Sequence, residues 1–150
     1  FTPQGEPLRQ ERIEALATKP RLLLIAGHYV GLDERVIEAL EPLELSVGDF
    51  VLSGGEIPAM LLIDAVVRHI PGVLGHEDSA REDSYARRGP RDERLLDCPH
   101  YTRPRHWRDR AVPDVLLGGD HEAVAEWRME MMIERTRRRR PDLLREARDP

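Results

Sequence analysis

Two short apolar runs dominate the first half of the chain. "RLLLIAG", residues 21–27, is continuously apolar and closed by glycine; "DFVLS", residues 49–53, repeats the form just before Gly54 and Gly55. Runs of this length without alternation predict strands buried on both faces of a parallel sheet. Between and around them the period changes. Leu8, Ile13, Leu16 and Ala17 predict a short amphipathic helix over 8–18 that Pro20 ends. Asp33 is placed to cap a helix through "ERVIEAL". Gly55 is placed to cap another over 56–69, leaving Pro58 in a first turn that tolerates it and Ile57, Met60, Leu61, Ile63, Val66 and Val67 on a broad apolar face. Strand, helix, strand, helix predicts an α/β fold with a parallel sheet.

The texture changes from Pro71 to Pro104, a stretch rich in charge, proline and glycine with little periodicity, which reads as a linker. Beyond it, "DHEAVAEWRMEMMIERTRRRR" predicts a helix capped by Asp120, with Val124, Trp127 and Met131 on one stripe. There is no internal repeat. The expected organisation is a cofactor domain over 1–75, a linker over 76–104 and a small helical domain over 105–150.

Composition narrows the class. The 150 residues are 40% apolar and 34% charged, as in a soluble globular protein of about one domain. No apolar run approaches the roughly 20 residues that cross a bilayer, no stretch reads as a signal sequence, and the lone Cys98 has no disulfide partner. A cytoplasmic protein without membrane contact is expected. The net charge of −5 is unevenly spread: residues 1–85 carry 7 basic and 15 acidic side chains, residues 86–150 carry 16 and 13. Arg87, Arg88, Arg91, Arg94, Arg103, Arg105, Arg108 and Arg110 crowd the linker and its exit, and "RTRRRR" closes the last helix. Such residues suit phosphate contact, although cations are also favoured at a helix C-terminus. The six histidines show no HExxH-like spacing and Cys98 has no CxxC partner, so no metal site is expected.

The candidate chemistry lies in three irregular glycine-bearing loops: "TPQG" at 2–5, "AGHYVG" at 26–31 and "SGGE" at 53–56. Two of them close apolar runs, at the strand ends where ligands bind in open α/β sheets. Paired glycines let a ligand touch main chain, or serve simply as a tight turn. Neither GxGxxG nor GxxxxGK[ST] is present, which argues against a dinucleotide fold or a P-loop.

In order along the chain, "TPQG", "GHYVGLDERV", "VGDFVLSGGEIPAM", "IPGVLGHEDSAREDS", "LLDCPHYTRP" and "AEWR" closely resemble the bacterial tRNA (guanine-N1)-methyltransferase family of the SPOUT class. The resemblance implies a parallel sheet with a deep trefoil knot, a small helical C-terminal domain over 105–150 that binds tRNA, a homodimer with its active site at the subunit interface, S-adenosylmethionine as cofactor and tRNA as substrate. By motif match the cofactor positions are Phe1, Thr2, Pro3, Gly5, Gly27, Tyr29, Val47, Gly48, Phe50, Leu52, Gly54, Gly55 and Pro58. The family's reaction methylates N1 of the guanosine at tRNA position 37, immediately 3′ of the anticodon. That nitrogen must lose a proton before it can attack, and negative charge then builds on O6. The resemblance makes Asp83 the base and Arg68 the cation at O6.

The chain departs from the family pattern in four places. Family members carry a segment before the "SPQG" turn, with a first strand and a "GGGxGM" loop, and this sequence starts at that turn, so an incomplete sheet is expected. "GHYVG" replaces "GRYEG": the resemblance leaves Mg²⁺ open as a second cofactor, but the Val30 side chain cannot bind it as the family's glutamate would, which counts against metal dependence. "YARRGPRDERLLD" is longer than the usual "FAEGLLD"-like spacing, and "LLGGDH" replaces "LLSGNH". The rival readings are a divergent SPOUT RNA methyltransferase with another target, and a non-catalytic RNA-binding or dimerisation fragment.

Overall fold

The computed structural model describes residues 1–73 and 83–146, with the side chains of 145 and 146 excepted. The chain divides into two compact units, Phe1–Glu77 and Asp78–Pro150. The expected boundary between residues 75 and 76 lies outside the described residues.

In the first unit, β1 (Glu6–Pro7) pairs in parallel with β2 (Leu45–Ser46), Glu6 opposite Leu45. The pairing is extended by backbone bonds from Thr2 N–H to Leu45 O and from Leu8 N–H to Ser46 O. Three helices follow the expected pattern. α1 (Gln10–Ala17) buries Ile13, and α2 (Glu34–Leu40) is capped by the Asp33 carboxylate, which accepts from Arg35 N–H. α3 (Glu56–Val67) starts at Gly55, which keeps Pro58 in the first turn. The core joins Ile13, Leu45, Leu62 and Val66, with Leu8, Leu16 and Leu24 packed against them, where α1 meets α3.

Two expectations are corrected here. Residues 21–27 and 49–53 are not strands: among the described residues neither run has a ladder, and Leu23 and Val51 are 87% and 83% exposed. A strand buried on both faces needs hydrogen-bonded neighbours at its edges and cover on both sides. Only the ends of the two runs meet, in an antiparallel bridge between His28 and Gly54. The face of α3 also differs. Pro58, Leu62 and Val66 are buried, while Ile57, Met60, Leu61 and Ile63 are exposed. A helix apolar nearly all round carries no periodic signal for its inner face, so the packing partner selects it.

In the second unit, β3 (His106–Trp107) and β4 (Arg110–Ala111) form an antiparallel hairpin, followed by a 3-10 turn over Asp114–Leu116. α4 (His121–Arg139) is capped by Asp120, whose carboxylate accepts from Glu122 and Ala123 N–H; α5 (Leu143–Glu146) follows. The core is Leu95, Cys98 and Met132. Val124, Trp127 and Met131 are only half-buried, and the deepest positions of α4 are Met132 and Thr136. Thr136 is fully buried because its hydroxyl has two partners: it donates to Met132 O at 2.7 Å and accepts from Leu96 N–H at 2.8 Å. Residues 85–95, within the stretch that reads as a linker, close on themselves through Tyr85 N–H to Leu95 O, Leu95 N–H to Arg87 O and Gly89 N–H to Glu93 O. Arg94 is buried there and donates to Tyr85 O, which removes it from the set offered to phosphate. Among the described residues no helix is long and apolar enough to cross a membrane.

Candidate functional site

The three glycine-bearing loops converge. The 26–31 loop is drawn to the 53–56 turn by Gly55 N–H donating to Gly27 O at 3.0 Å, and the 1–5 turn is held by the Phe1 ammonium on Ile25 O at 3.3 Å and Thr2 N–H on Leu45 O at 3.0 Å. Together they wall a cavity of about 580 Å³ in the first unit. Of the residues singled out in the sequence, Phe1, Thr2, Pro3, Gly27, Tyr29, Val47, Gly48, Phe50, Leu52, Gly54, Gly55 and Pro58 line it. Gly5 does not. Its bare Cα lies against the Glu44–Leu45 peptide, where an added Cβ would meet Leu45 N at 2.5 Å, so this glycine lets the 2–5 turn close on β2.

Gly55 has a similar role. A Cβ there would meet Ala26 Cα at 2.7 Å and Gly27 N at 3.2 Å. The bare backbone is taken up by a neighbouring stretch of chain, and the close approach of the two loops gives the cavity that part of its wall.

Residues that sequence reasoning passed over also belong to the site. Glu34 and Glu44 are among the residues that line the cavity. The His28 ring and the Glu56 carboxylate hydrogen-bond at 2.5 Å, each side chain more than half exposed, tying the two loops together from outside the backbone contact. The Glu56 carboxyl is held below its ordinary value by its own backbone N–H, at the start of α3, and by the His28 ring. Their positions directly after Gly27 and Gly55 were the available signal. Val30 is fully exposed and apolar, and Tyr29 beside it takes a left-handed backbone at φ 58°.

Arg68 caps the C-terminal end of α3, with its N–H on Asp64 O, and is exposed outside the cavity lining. Asp83 is exposed in the second unit, where its carbonyl accepts from Ala86 N–H.

Asp97, Cys98 and His100 bring three ligand-type atoms within 4.8 Å of one another, a cluster invisible to the HExxH and CxxC templates. Hydrogen bonds already engage the carboxylate: Asp97 accepts from Cys98 N–H at 2.7 Å and bonds the His100 ring at 2.5 Å. Burial pushes the Asp97 carboxyl up, but those two bonds outweigh it and hold the group below its usual range. Burial, with the adjacent Asp97 charge, pushes the Cys98 thiol up.

Known proteins match this chain along most of its length. It is 54% identical over 144 residues to a tRNA (guanine-N(1)-)-methyltransferase of Alcanivorax borkumensis, covering 96% of this chain and 53% of that one. The identity is 55% to the Pseudomonas putida protein of the same name, and 54% to that of Pseudoalteromonas translucida, with 96% of this chain and 55% and 54% of theirs covered. The chain thus spans about half the length of the curated relatives it matches. A family model described as tRNA (Guanine-1)-methyltransferase TrmD matches residues 1–146, and the chain belongs to that family.

Proposed function

We propose that this chain carries the S-adenosylmethionine site and the catalytic pair of a tRNA (guanine-N1)-methyltransferase acting on the guanosine at position 37. The observation that carries the reading is the convergence of the three family loops on one cavity. Its volume of about 580 Å³ is in the range that encloses a small molecule. Apolar residues such as Phe50 and Leu52, together with the glycines of the lining, suit an adenosine group. A SPOUT-type knot, a three-part division at 75/76 and 104/105, a homodimer and a cytoplasmic location complete the proposal. The exposed Ile57, Met60, Leu61 and Ile63 of α3 offer an apolar surface that a second copy would cover.

When bound, S-adenosylmethionine supplies a methyl group activated by its sulfonium. The chain's own residues do the rest. The Asp83 carboxylate takes the proton from guanine N1, freeing the lone pair that accepts the methyl group. The Arg68 guanidinium stabilises the negative charge that builds on O6. The loop walls hold the donor and keep water from it. Metal dependence is not carried over from the family: the Val30 side chain offers no oxygen where the family pattern has glutamate, and the Glu56 carboxylate is hydrogen-bonded to the His28 ring. No step is routed through a metal.

Calorimetric titration of S-adenosylmethionine into the chain, with and without Mg²⁺, tests the reading. Saturable binding with the same affinity in both conditions is expected. A folded chain that takes up no S-adenosylmethionine overturns the assignment of the cavity.

A further inference from the structure

One surface remains outside this scheme. The β3–β4 hairpin and its approach, residues 103–110, expose four arginines, Arg103, Arg105, Arg108 and Arg110, against one acid, Asp109. Among the described residues none of the four arginines forms an ion pair with a carboxylate. At the tip, Trp107 is 58% exposed, and the Arg108 guanidinium lies over its ring, 4.7 Å from the centroid. Arg108 also occupies a left-handed backbone at φ 54°, as the first residue of a two-residue turn where glycine or asparagine is favoured. A large aromatic kept in water, stacked with a cation and flanked by unpaired charge, matches the requirements for an unpaired nucleobase and its phosphates.

We propose that the β3–β4 hairpin is a stacking platform for single-stranded RNA: Trp107 and Arg108 hold an unpaired base, and Arg103, Arg105 and Arg110 contact the phosphates on either side. The proposal rests on the RNA-substrate reading of the chain and adds a docking point apart from the cofactor cavity. A duplex has no free base face to offer, so the platform discriminates single strands. An acidic protein surface would satisfy the arginines but leave the Trp107–Arg108 stack without a planar partner.

The test is fluorescence anisotropy with the full chain and a labelled seven-nucleotide single-stranded RNA, beside a duplex RNA and polyglutamate. Trp107→Ala is expected to weaken single-strand binding by about tenfold or more, as loss of one base–aromatic stack does, with duplex affinity unchanged. Charge reversal in Arg105→Glu/Arg110→Glu is expected to weaken both RNAs and lower the salt slope by about 2, one contact for each arginine. Far-UV circular dichroism reports folding. Should Trp107→Ala perturb it, Trp107→Phe against Trp107→Leu makes the same comparison, since phenylalanine keeps a ring and leucine only apolar bulk. Equal single-strand affinities within either comparison overturn the platform, as do polyglutamate binding as tight as RNA or no RNA binding at low salt. S-adenosylmethionine titration separates the two readings: intact cofactor binding with no Trp107 effect removes only the platform, and a Trp107 effect without cofactor binding removes only the transferase.

Discussion

Substituting Gly55 with alanine tests whether the two loops of the cavity are held together by backbone contact. The added methyl group would lie 2.7 Å from Ala26 Cα and 3.2 Å from Gly27 N, whereas carbon atoms rest at about 3.5–4.0 Å. Both neighbours are main chain, so the loops must part by about 1 Å. Overpacking of this kind costs about 1–3 kcal/mol. The same movement stretches the 3.0 Å bond from Gly55 N–H to Gly27 O, removing a further ~0.5–1.5 kcal/mol. A loss of about 2–4 kcal/mol lowers Tm by about 5–15 °C in a chain of this size. Because residues 27 and 53–55 line the cavity, the proposed S-adenosylmethionine site predicts a lower affinity for that ligand as well. Gly118→Ala is the control: its nearest neighbour is Asp114 O at 3.9 Å, and a change within about 0.5 kcal/mol is expected. Thermal melts and calorimetric titration of both variants decide the matter. A Gly55→Ala protein melting within about 2 °C of its parent, under the scaling used above, refutes the argument from close approach.

Three further outcomes are expected. Thr136→Val keeps the shape of a fully buried side chain but leaves Leu96 N–H without its acceptor, and should cost about 1–3 kcal/mol in urea unfolding, with Thr136→Ser close to the parent. Asp97, held below its ordinary value in the fold, contributes stability that is present above the unfolded value of about 3.9 and lost as pH falls through the lower folded one. His100→Ala removes one of the lowering bonds, so the midpoint of acid unfolding should move to higher pH, and an unmoved midpoint contradicts the assignment. Asp83→Asn should lower methyl transfer by about 10²–10⁴-fold with S-adenosylmethionine binding intact; loss of both together removes the general-base role.

Much of the local structure was legible in the residues themselves. The caps at Asp33, Gly55 and Asp120 set three helix starts: the two aspartate side chains accept from N–H groups that no carbonyl within the helix can reach, and Gly55, which makes no side-chain cap bond, marks the turn from which α3 departs. The cavity-lining loops were legible for the same reason: glycine and proline mark where regular structure must stop, and the family motifs fixed their order. Strands were not legible in this way. "RLLLIAG" and "DFVLS" carry the apolar character of buried strands, but a ladder is made by partners remote in sequence, and among the described residues neither run has them, which leaves Leu23 and Val51 exposed.

By itself, then, the sequence determined three helix starts, the irregular loops and the family, since capping, turn chemistry and motif order are local properties of the chain. The tertiary structure alone decided which face of α3 is buried, that Gly5 and Gly55 serve chain-to-chain approach, that Arg94 turns inward and that Thr136 anchors Leu96. Each of these depends on contacts between atoms distant in sequence, whose energies come from burial, close packing and hydrogen-bond satisfaction that no window of neighbouring residues contains.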